Sequence, residues 1–212
     1  MYNEWQPIYT ALAADILDSM GYREQTLEHT VRPSPASAGF VGPALTLDAF
    51  ENTDPHPDPY QKIFAAYDVM KRGDVVVVAT NGELRSGLWG ELLATAAMAR
   101  GVEAVVTDGL VRDVRLMDDM RFHCYSRGYS PLDSAGRIVV KDIQVPIYCA
   151  GVHIAPGDFM LADYEGIVVI PASIIDLVHS KCMDKLAGEN TVRDALATGR
   201  TPREVFDEFG IL

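Results

Sequence analysis

The sequence predicts a mixed α/β fold with helices at both ends and a β-rich middle. Three observations point there. Val75 to Ala79 is a wholly apolar run, as expected of a strand buried on both faces. Residues 136–170 carry strand-like runs separated by turns at Pro156-Gly157-Asp158 and Glu165-Gly166, with no helical pattern between them. Residues 5–20 and the chain from Ala172 onward show helical periodicity instead.

Each element follows in order. Ile8, Leu12, Ile16 and Met20 mark one face of an amphipathic helix over residues 5–20. Gly39 to Leu47 (GFVGPALTL) reads as a strand entered through glycines. Glu51 to Pro59 (ENTDPHPDP) holds three prolines, which exclude regular structure and point to a surface or active-site loop. Tyr60 to Lys71 is helical, Gly73-Asp74 turns, and the Val75–Ala79 strand follows. Gly90 to Arg100 is helical, with Leu92, Leu93, Ala96, Ala97 and Ala99 as its apolar face and Gly101 as its stop. Glu103 to Thr107 is a strand, and Asp108-Gly109 is a turn. Val114 to Met120 is a short helix and Phe122 to Ser126 a strand. The helical C-terminal part breaks at Gly199-Arg200-Thr201-Pro202. There Thr201 suits an N-cap, Pro202 the first helical position and Glu204 the third, for a last helix over about 202–208. No GxGxxG follows the first strand, and 136–170 lacks crossover helices, which argues against a simple Rossmann order.

Bulk properties narrow the function. With 212 residues the chain suits one domain, 1–212, with a sizeable core. Its 48% hydrophobic and 23% charged residues are ordinary for a soluble protein. No apolar run reaches membrane-span length, and the N-terminal residues show no basic-then-apolar secretory pattern, so a cytoplasmic protein without membrane contact is expected. A net charge of −12 argues against nucleic-acid binding. An anionic small substrate stays possible where it meets local positive charge. Cys124, Cys149 and Cys182 form no CxxC pair and read as free thiols of a reducing compartment.

The segment from Trp89 to Asp113 (WGELLATAAMARGVEAVVTDGLVRD) carries the chemistry. Its helix travels about 15 Å, and the strand after it returns about 16 Å. Glu91 and the pair Arg112-Asp113 are therefore expected at the same end of the unit. The helix start at Gly90 offers free backbone N–H groups to an anion, and glycine permits close approach. Arg112 offers a planar donor fork to a carboxylate or a developing enolate oxygen. Asp113 and Glu91 are hard oxygen ligands suited to Mg²⁺ or Mn²⁺. Together these could polarise a 2-oxo acid. By spacing alone, the commoner explanation is a surface Arg-Asp pair and a glutamate answering the helix dipole.

Other chemistries find less support. A Schiff-base aldolase needs a lysine in a pocket, and Lys62, Lys71, Lys141, Lys181 and Lys185 all lie outside the segment and read as solvated charges. His29, His56, His123, His153 and His179 show no HExxH or HxxxH spacing, which leaves a zinc hydrolase without ligands. His56 lies in the proline-rich loop and reads as solvent-exposed. His123 and Cys124 are neighbours on a strand and should face opposite ways. Ser86 and Ser130 lack a nucleophile setting, and Asp163 with Glu165 suits a turn.

Nearly the whole chain resembles the RraA-like family, named for the regulator of ribonuclease E activity A. That family includes class II pyruvate aldolases acting on 4-hydroxy-4-methyl-2-oxoglutarate and 4-carboxy-4-hydroxy-2-oxoadipate. The aldolase signature is an acidic residue, twenty residues, then Arg-Asp. Here it is Glu91 and Arg112-Asp113, with Glu where the best-known aldolases have Asp. Supporting matches are GPALTL at 42–47, GDVVVV at 73–78, SRGYSP at 126–131, PGDFMLADYEGIVVIP at 156–171 and GENTVRDAL at 188–196.

The resemblance implies a swivelling β/β/α fold assembled as a homotrimer or homohexamer. It implies a pyruvoyl carboxylate on the backbone of Gly90, Glu91, Leu92 and Leu93, with Arg112 binding substrate and stabilising the enolate. It implies Mg²⁺ or Mn²⁺ on Asp113, with Glu91 reaching the metal through water. Glu189 is the nearest match to a glutamate that a neighbouring subunit brings to the site. The implied activity is cleavage of a small 4-hydroxy-2-oxo acid to pyruvate, with oxaloacetate decarboxylation through the same enolate. The alternative is a non-catalytic, protein-binding regulator of the ribonuclease E type. Such regulators do not need an intact metal motif, and this chain keeps one, which favours the enzyme. The ENTDPHPDP loop departs from the aldolases, which usually carry an Asp-Asn pair there, so the distal half of the substrate is left open.

Overall fold

The computed structural model describes residues 2–53 and 58–210. Asp54 to Pro57, the middle of the proline-rich loop and the site of His56, lie outside the described residues. A 3₁₀ turn (Tyr2–Trp5) precedes helix α1 (Thr10–Ser19), and the short strand β1 (Arg32–Pro33) precedes the long strand β2 (Phe40–Glu51). Then come α2 (Gln61–Val69), β3 (Val75–Ala79), β4 (Gly87–Trp89), α3 (Glu91–Ala99), β5 (Ala104–Thr107), β6 (Leu110–Val111) and α4 (Val114–Asp119). Strands β7 (His123–Ser126), β8 (Gly128–Tyr129), β9 (Ile138–Ile143), β10 (Ile147–Cys149), β11 (Val152–Ile154), β12 (Phe159–Ala162) and β13 (Ile167–Ile170) follow. Helices α5 (Ile175–Ala197) and α6 (Pro202–Phe209) close the chain. No helix among the described residues is long and apolar enough to cross a membrane.

The main sheet runs β1-β7-β5-β3-β2-β12-β13, with β9 also paired to β2. Its centre is parallel, because β2, β3, β5 and β7 follow one another in that sense, and its edges are antiparallel. The result is the expected mixed α/β arrangement rather than a Rossmann order.

Burial on both faces of β3 explains its unbroken valine run. Val76 and Val78 join Leu45, Leu47 and Val105 beneath α2, α3 and α4. Val75 and Val77 join Ala44, Val106 and the β10–β11 hairpin residues Ile147 and Val152. A third core packs α1 and α5 on the outer faces of β12 and β13 through Leu12, Leu17, Val178 and Leu161.

The N-terminal helix is shorter than expected. Residues 5–20 divide into the 3₁₀ turn and α1. Pro7 disfavours helical geometry in the residue before it. Trp5 is instead buried with its ring 4.6 Å from that of Phe159. Strand β2 is longer than the expected 39–47, because β3, β12 and β9 all pair with parts of it, and a bulge at Asp48/Ala49 accommodates the shift. The predicted start of α6 is present in full: the Thr201 side chain accepts from the Glu204 N–H, and Glu204 reaches back to the Thr201 N–H. Asp163 makes the turn expected of it by accepting from the Glu165 N–H, and it also anchors the Thr10 N–H at the start of α1. Cys124, Cys149 and Cys182 are buried free thiols.

Candidate functional site

A second sheet, β4-β6-β8, decides where the chemistry sits. Its strands are parallel and alternate along the chain with those of the main sheet. The main strand β3 leads into β4 and helix α3, and β5 leads into β6 and helix α4. The same β-β-α step thus occurs twice without a sequence repeat. Gly90 leaves the carboxyl end of β4, and Arg112 leaves the carboxyl end of the adjacent β6. The Arg112 N–H donates to the Trp89 carbonyl at 2.9 Å, which locks the two exits side by side.

Asp113 is the N-cap of α4 and sits in the left-handed region at φ 54 and ψ 29. Aspartate tolerates this conformation better than most residues. Its Oδ2 faces the Glu91 N–H at 3.4 Å and the Arg112 Nε at 3.2 Å. Gly90 is extended, and a Cβ there would lie 2.7 Å from Asp113 Oδ2 and 2.8 Å from Arg112 Cγ. By sequence, the missing side chain of Gly90 leaves room for a ligand to approach. In the structure that space is taken by Arg112 and Asp113 themselves.

Arg112 also spans to Asp133, with Nη1 donating to Oδ1 at 2.8 Å. The Tyr60 hydroxyl lies close to Asp133. Burial and the Asp133 carboxylate both push the Tyr60 hydroxyl above its ordinary pKa, against a smaller opposing effect of Arg112. These groups border a cleft of about 380 Å³. Its apolar wall is Phe64, Leu88, Leu92 and Leu93.

Most of the expected site residues meet here. Gly90, Leu92, Leu93, Arg112 and Asp113 line the cleft. Glu91 begins α3 at its edge, but its carboxylate turns along the helix to accept from Thr95 Oγ1 at 2.9 Å. Glu189 does not line the cleft of its own chain. It lies on α5, where it accepts from the Tyr9 hydroxyl at 2.5 Å and stands 3.8 Å from Lys185 Nζ. Asp133 and Tyr60 were not anticipated. Both sit in segments without a chemical motif, and only proximity to Arg112 distinguishes them.

The apolar face expected of α3 is corrected. Ala94 and Ala97 form its buried stripe, Leu93 is half-buried, and Leu92, Ala96 and Ala99 are exposed. Small alanines let the helix approach the sheet closely, so a narrow contact suffices and the larger residues stay outside.

Among the described residues, no three His, Cys, Asp or Glu side chains are grouped to hold a metal. Asp113 lines the cleft as one carboxylate beside Arg112, and an ion such as Mg²⁺ takes one or two protein carboxylates and keeps several waters. Both protein contacts of Asp113 use Oδ2, which leaves Oδ1 as the oxygen for a cation.

The family model described as RraA-like, Aldolase/RraA, matches residues 10–169. The "Putative 4-hydroxy-4-methyl-2-oxoglutarate aldolase" of Halalkalibacterium halodurans is 28% identical over 194 residues, covering 92% of this chain and 87% of that protein. An uncharacterized protein from Pseudomonas syringae has a solved structure that superposes with a TM-score of 0.82 at 26% identity, covering 96% of this chain and 94% of that one. Streptomyces coelicolor RraAS2, described as an unusual member of the RNase ES inhibitor RraA protein family, superposes with a TM-score of 0.81 at 25% identity, covering 90% of this chain and 94% of its own.

Proposed function

The chain belongs to the Aldolase/RraA family, and on that premise we propose that it is a divalent-metal-dependent class II pyruvate aldolase. It cleaves a 4-hydroxy-2-oxo acid, of the 4-hydroxy-4-methyl-2-oxoglutarate or 4-carboxy-4-hydroxy-2-oxoadipate type, to pyruvate. It also decarboxylates oxaloacetate. The observation that carries this reading is the meeting of Arg112, Asp113 and the start of α3 in one cleft.

The chemistry follows from the residues. Backbone N–H groups at the start of α3, from Gly90 to Leu93, receive the pyruvoyl carboxylate, where the helix dipole favours an anion. Arg112 donates to the 2-oxo oxygen. That bond strengthens as the C3–C4 bond breaks and negative charge moves onto this oxygen. Asp113 would hold Mg²⁺ or Mn²⁺, with Glu91 reaching it through water, and the ion would supply Lewis-acid polarisation of the 2-oxo group. A water, positioned by Glu91 once its carboxylate leaves Thr95 Oγ1, takes the proton of the C4 hydroxyl. The C3–C4 electron pair passes into the enolate, the C4 oxygen becomes a carbonyl, and the proton that the water took is delivered to C3 to release pyruvate. Oxaloacetate reaches the same enolate by losing CO₂ and needs no base for the cleavage.

The reading includes a homotrimer or homohexamer in the cytoplasm, in which Glu189 of one subunit approaches a neighbour's cleft. A stable monomer by mass measurement in dilute solution would remove that role.

A second reading is a non-catalytic, protein-binding regulator. Its support is the likeness to RraAS2. A coupled assay of pyruvate release separates the two. The aldolase should turn over a 4-hydroxy-2-oxo acid or oxaloacetate with Mg²⁺ or Mn²⁺, stop with chelator, and stop in Asp113→Ala. No turnover of any such acid, together with unchanged behaviour of Asp113→Ala, would leave the regulator.

A further inference from the structure

Arg112 is held at two edges of its guanidinium. Asp113 Oδ2 lies 3.2 Å from Nε, and Asp133 Oδ1 accepts from Nη1 at 2.8 Å. Neither pair uses Nη2, the nitrogen left to meet a substrate oxygen. The two anchors are unequal. The Asp113 contact is the longer one, and the same Oδ2 also faces the Glu91 N–H. In the proposed site Asp113 serves the metal ion as well, a duty that Asp133 does not share.

Backbone bonds fix Asp133 before any ligand arrives. The carbonyl of the preceding residue, Leu132, accepts from the Gly87 N–H at 3.0 Å, and residue 133 itself bridges to Gly87. The Ser130 N–H donates to the Val111 carbonyl at 3.0 Å, and Ser130 Oγ donates to the Arg85 carbonyl at 2.8 Å. On the far side, Arg137 Nη1 donates to the Asp133 carbonyl at 2.9 Å. The segment after β8 is thus strapped to β4 and β6, the strands that deliver Gly90 and Arg112. All of these contacts lie within one chain, so they need neither a bound ion nor a neighbouring subunit.

The Arg112–Asp133 pair is partly exposed, and such a pair adds little to stability. What it fixes is direction. An arginine side chain has much rotamer freedom to lose, and a donor already aimed at a developing oxyanion loses less of it in the transition state.

We infer that Asp133 is a positioning residue, which aims Nη2 of Arg112 at the 2-oxo oxygen. The inference rests on the aldolase reading of the same site and deepens it.

The test compares Asp133→Asn with Asp133→Ala in the full chain with Mg²⁺. Both remove the same charge, and only Asn keeps an oxygen able to accept from Nη1. In pyruvate release from 4-hydroxy-4-methyl-2-oxoglutarate, kcat of Asp133→Ala should fall at least about tenfold below that of Asp133→Asn, with KM values within about twofold, because the lost aim matters in the transition state. Asp133→Ser, whose oxygen stops a bond short of Nη1, should follow Asp133→Ala and replaces it if that variant does not fold. Equal kcat in the Asn variant and the shorter ones overturns the inference and leaves the aldolase standing. A difference carried by KM alone assigns Asp133 to ground-state binding and also overturns it.

Oxalate, a planar analogue of the pyruvate enolate, reads the same effect without turnover. By titration calorimetry with Mg²⁺, Asp133→Asn should bind oxalate at least about fivefold more tightly than Asp133→Ala. That difference, with cleavage of neither 4-hydroxy-4-methyl-2-oxoglutarate nor oxaloacetate by the wild type, overturns the aldolase and leaves Asp133 as the anchor of Arg112. No oxalate binding and no cleavage overturns both.

Discussion

Asp113 Oδ2 lies 2.7 Å from where a side chain on residue 90 would begin. Residue 90 is glycine because the Asp113 carboxylate fills that space. The same oxygen touches the Glu91 N–H and Arg112 Nε. Moving it would therefore disturb all three groups at once. Gly90→Ala should lower pyruvate release at least about tenfold, since small displacements of reacting groups are costly. It should also lower stability by about 1–3 kcal/mol. Steady-state kinetics and urea denaturation check both. Unchanged kinetics would mean that Asp113 is not needed where it stands.

Metal binding should be visible without turnover. A ligand that binds only the folded state raises its stability by mass action. Mg²⁺ or Mn²⁺ should raise the wild-type melting temperature, and chelator should reverse the rise. Asp113→Ala should lose the response. A full response in that variant would place the ion elsewhere.

Asp108 is a structural counterpart behind the site. It is 4% exposed and accepts from the Thr80 N–H at 2.6 Å, Thr80 Oγ1 at 2.9 Å and the Gly82 N–H at 3.3 Å. Asp108→Ala strands those donors, at a cost of about 1–3 kcal/mol. In a chain of this size each kcal/mol lowers the melting temperature by roughly 2–4 °C. Asp108→Asn keeps an acceptor oxygen and should cost less. Calorimetric melts of the two variants test that order.

His123 predicts an acid limb of stability. Burial lowers its pKa below the ordinary 6.5, against a smaller opposing effect of Glu103. Below pH about 6.5 the unfolded chain binds a proton that the folded chain resists. The contribution is fully present above the unfolded pKa and falls as pH drops toward the lower folded value. His123→Gln should flatten this part of a urea-midpoint profile between pH 7 and 5. An unchanged slope would assign the limb to other groups.

The strands that build the site were the least legible part of the fold. β4, β6 and β8 hold two or three residues each, too few for any period to show. Convergence of Glu91 with Arg112-Asp113 was nevertheless expected from helix and strand lengths. The structure supplies a more direct cause in the parallel pairing of β4 with β6.

Local pattern alone determined the elements whose information is local. The valine run of β3 required burial on both faces. Thr201, Pro202 and Glu204 required a helix start at α6. Gly90 and Gly101 bounded α3. The spacing of Glu91 from Arg112-Asp113 placed these residues at one end of a unit.

Tertiary structure alone decided the rest. It chose Ala94 and Ala97 as the buried stripe of α3 and left Leu92 facing the cleft. It set Glu189 against Tyr9 on α5. It brought Asp133, twenty-one residues beyond Arg112, within 2.8 Å of the guanidinium. Such contacts join residues far apart in the chain. Their geometry depends on strand pairing and core packing, which no local period encodes.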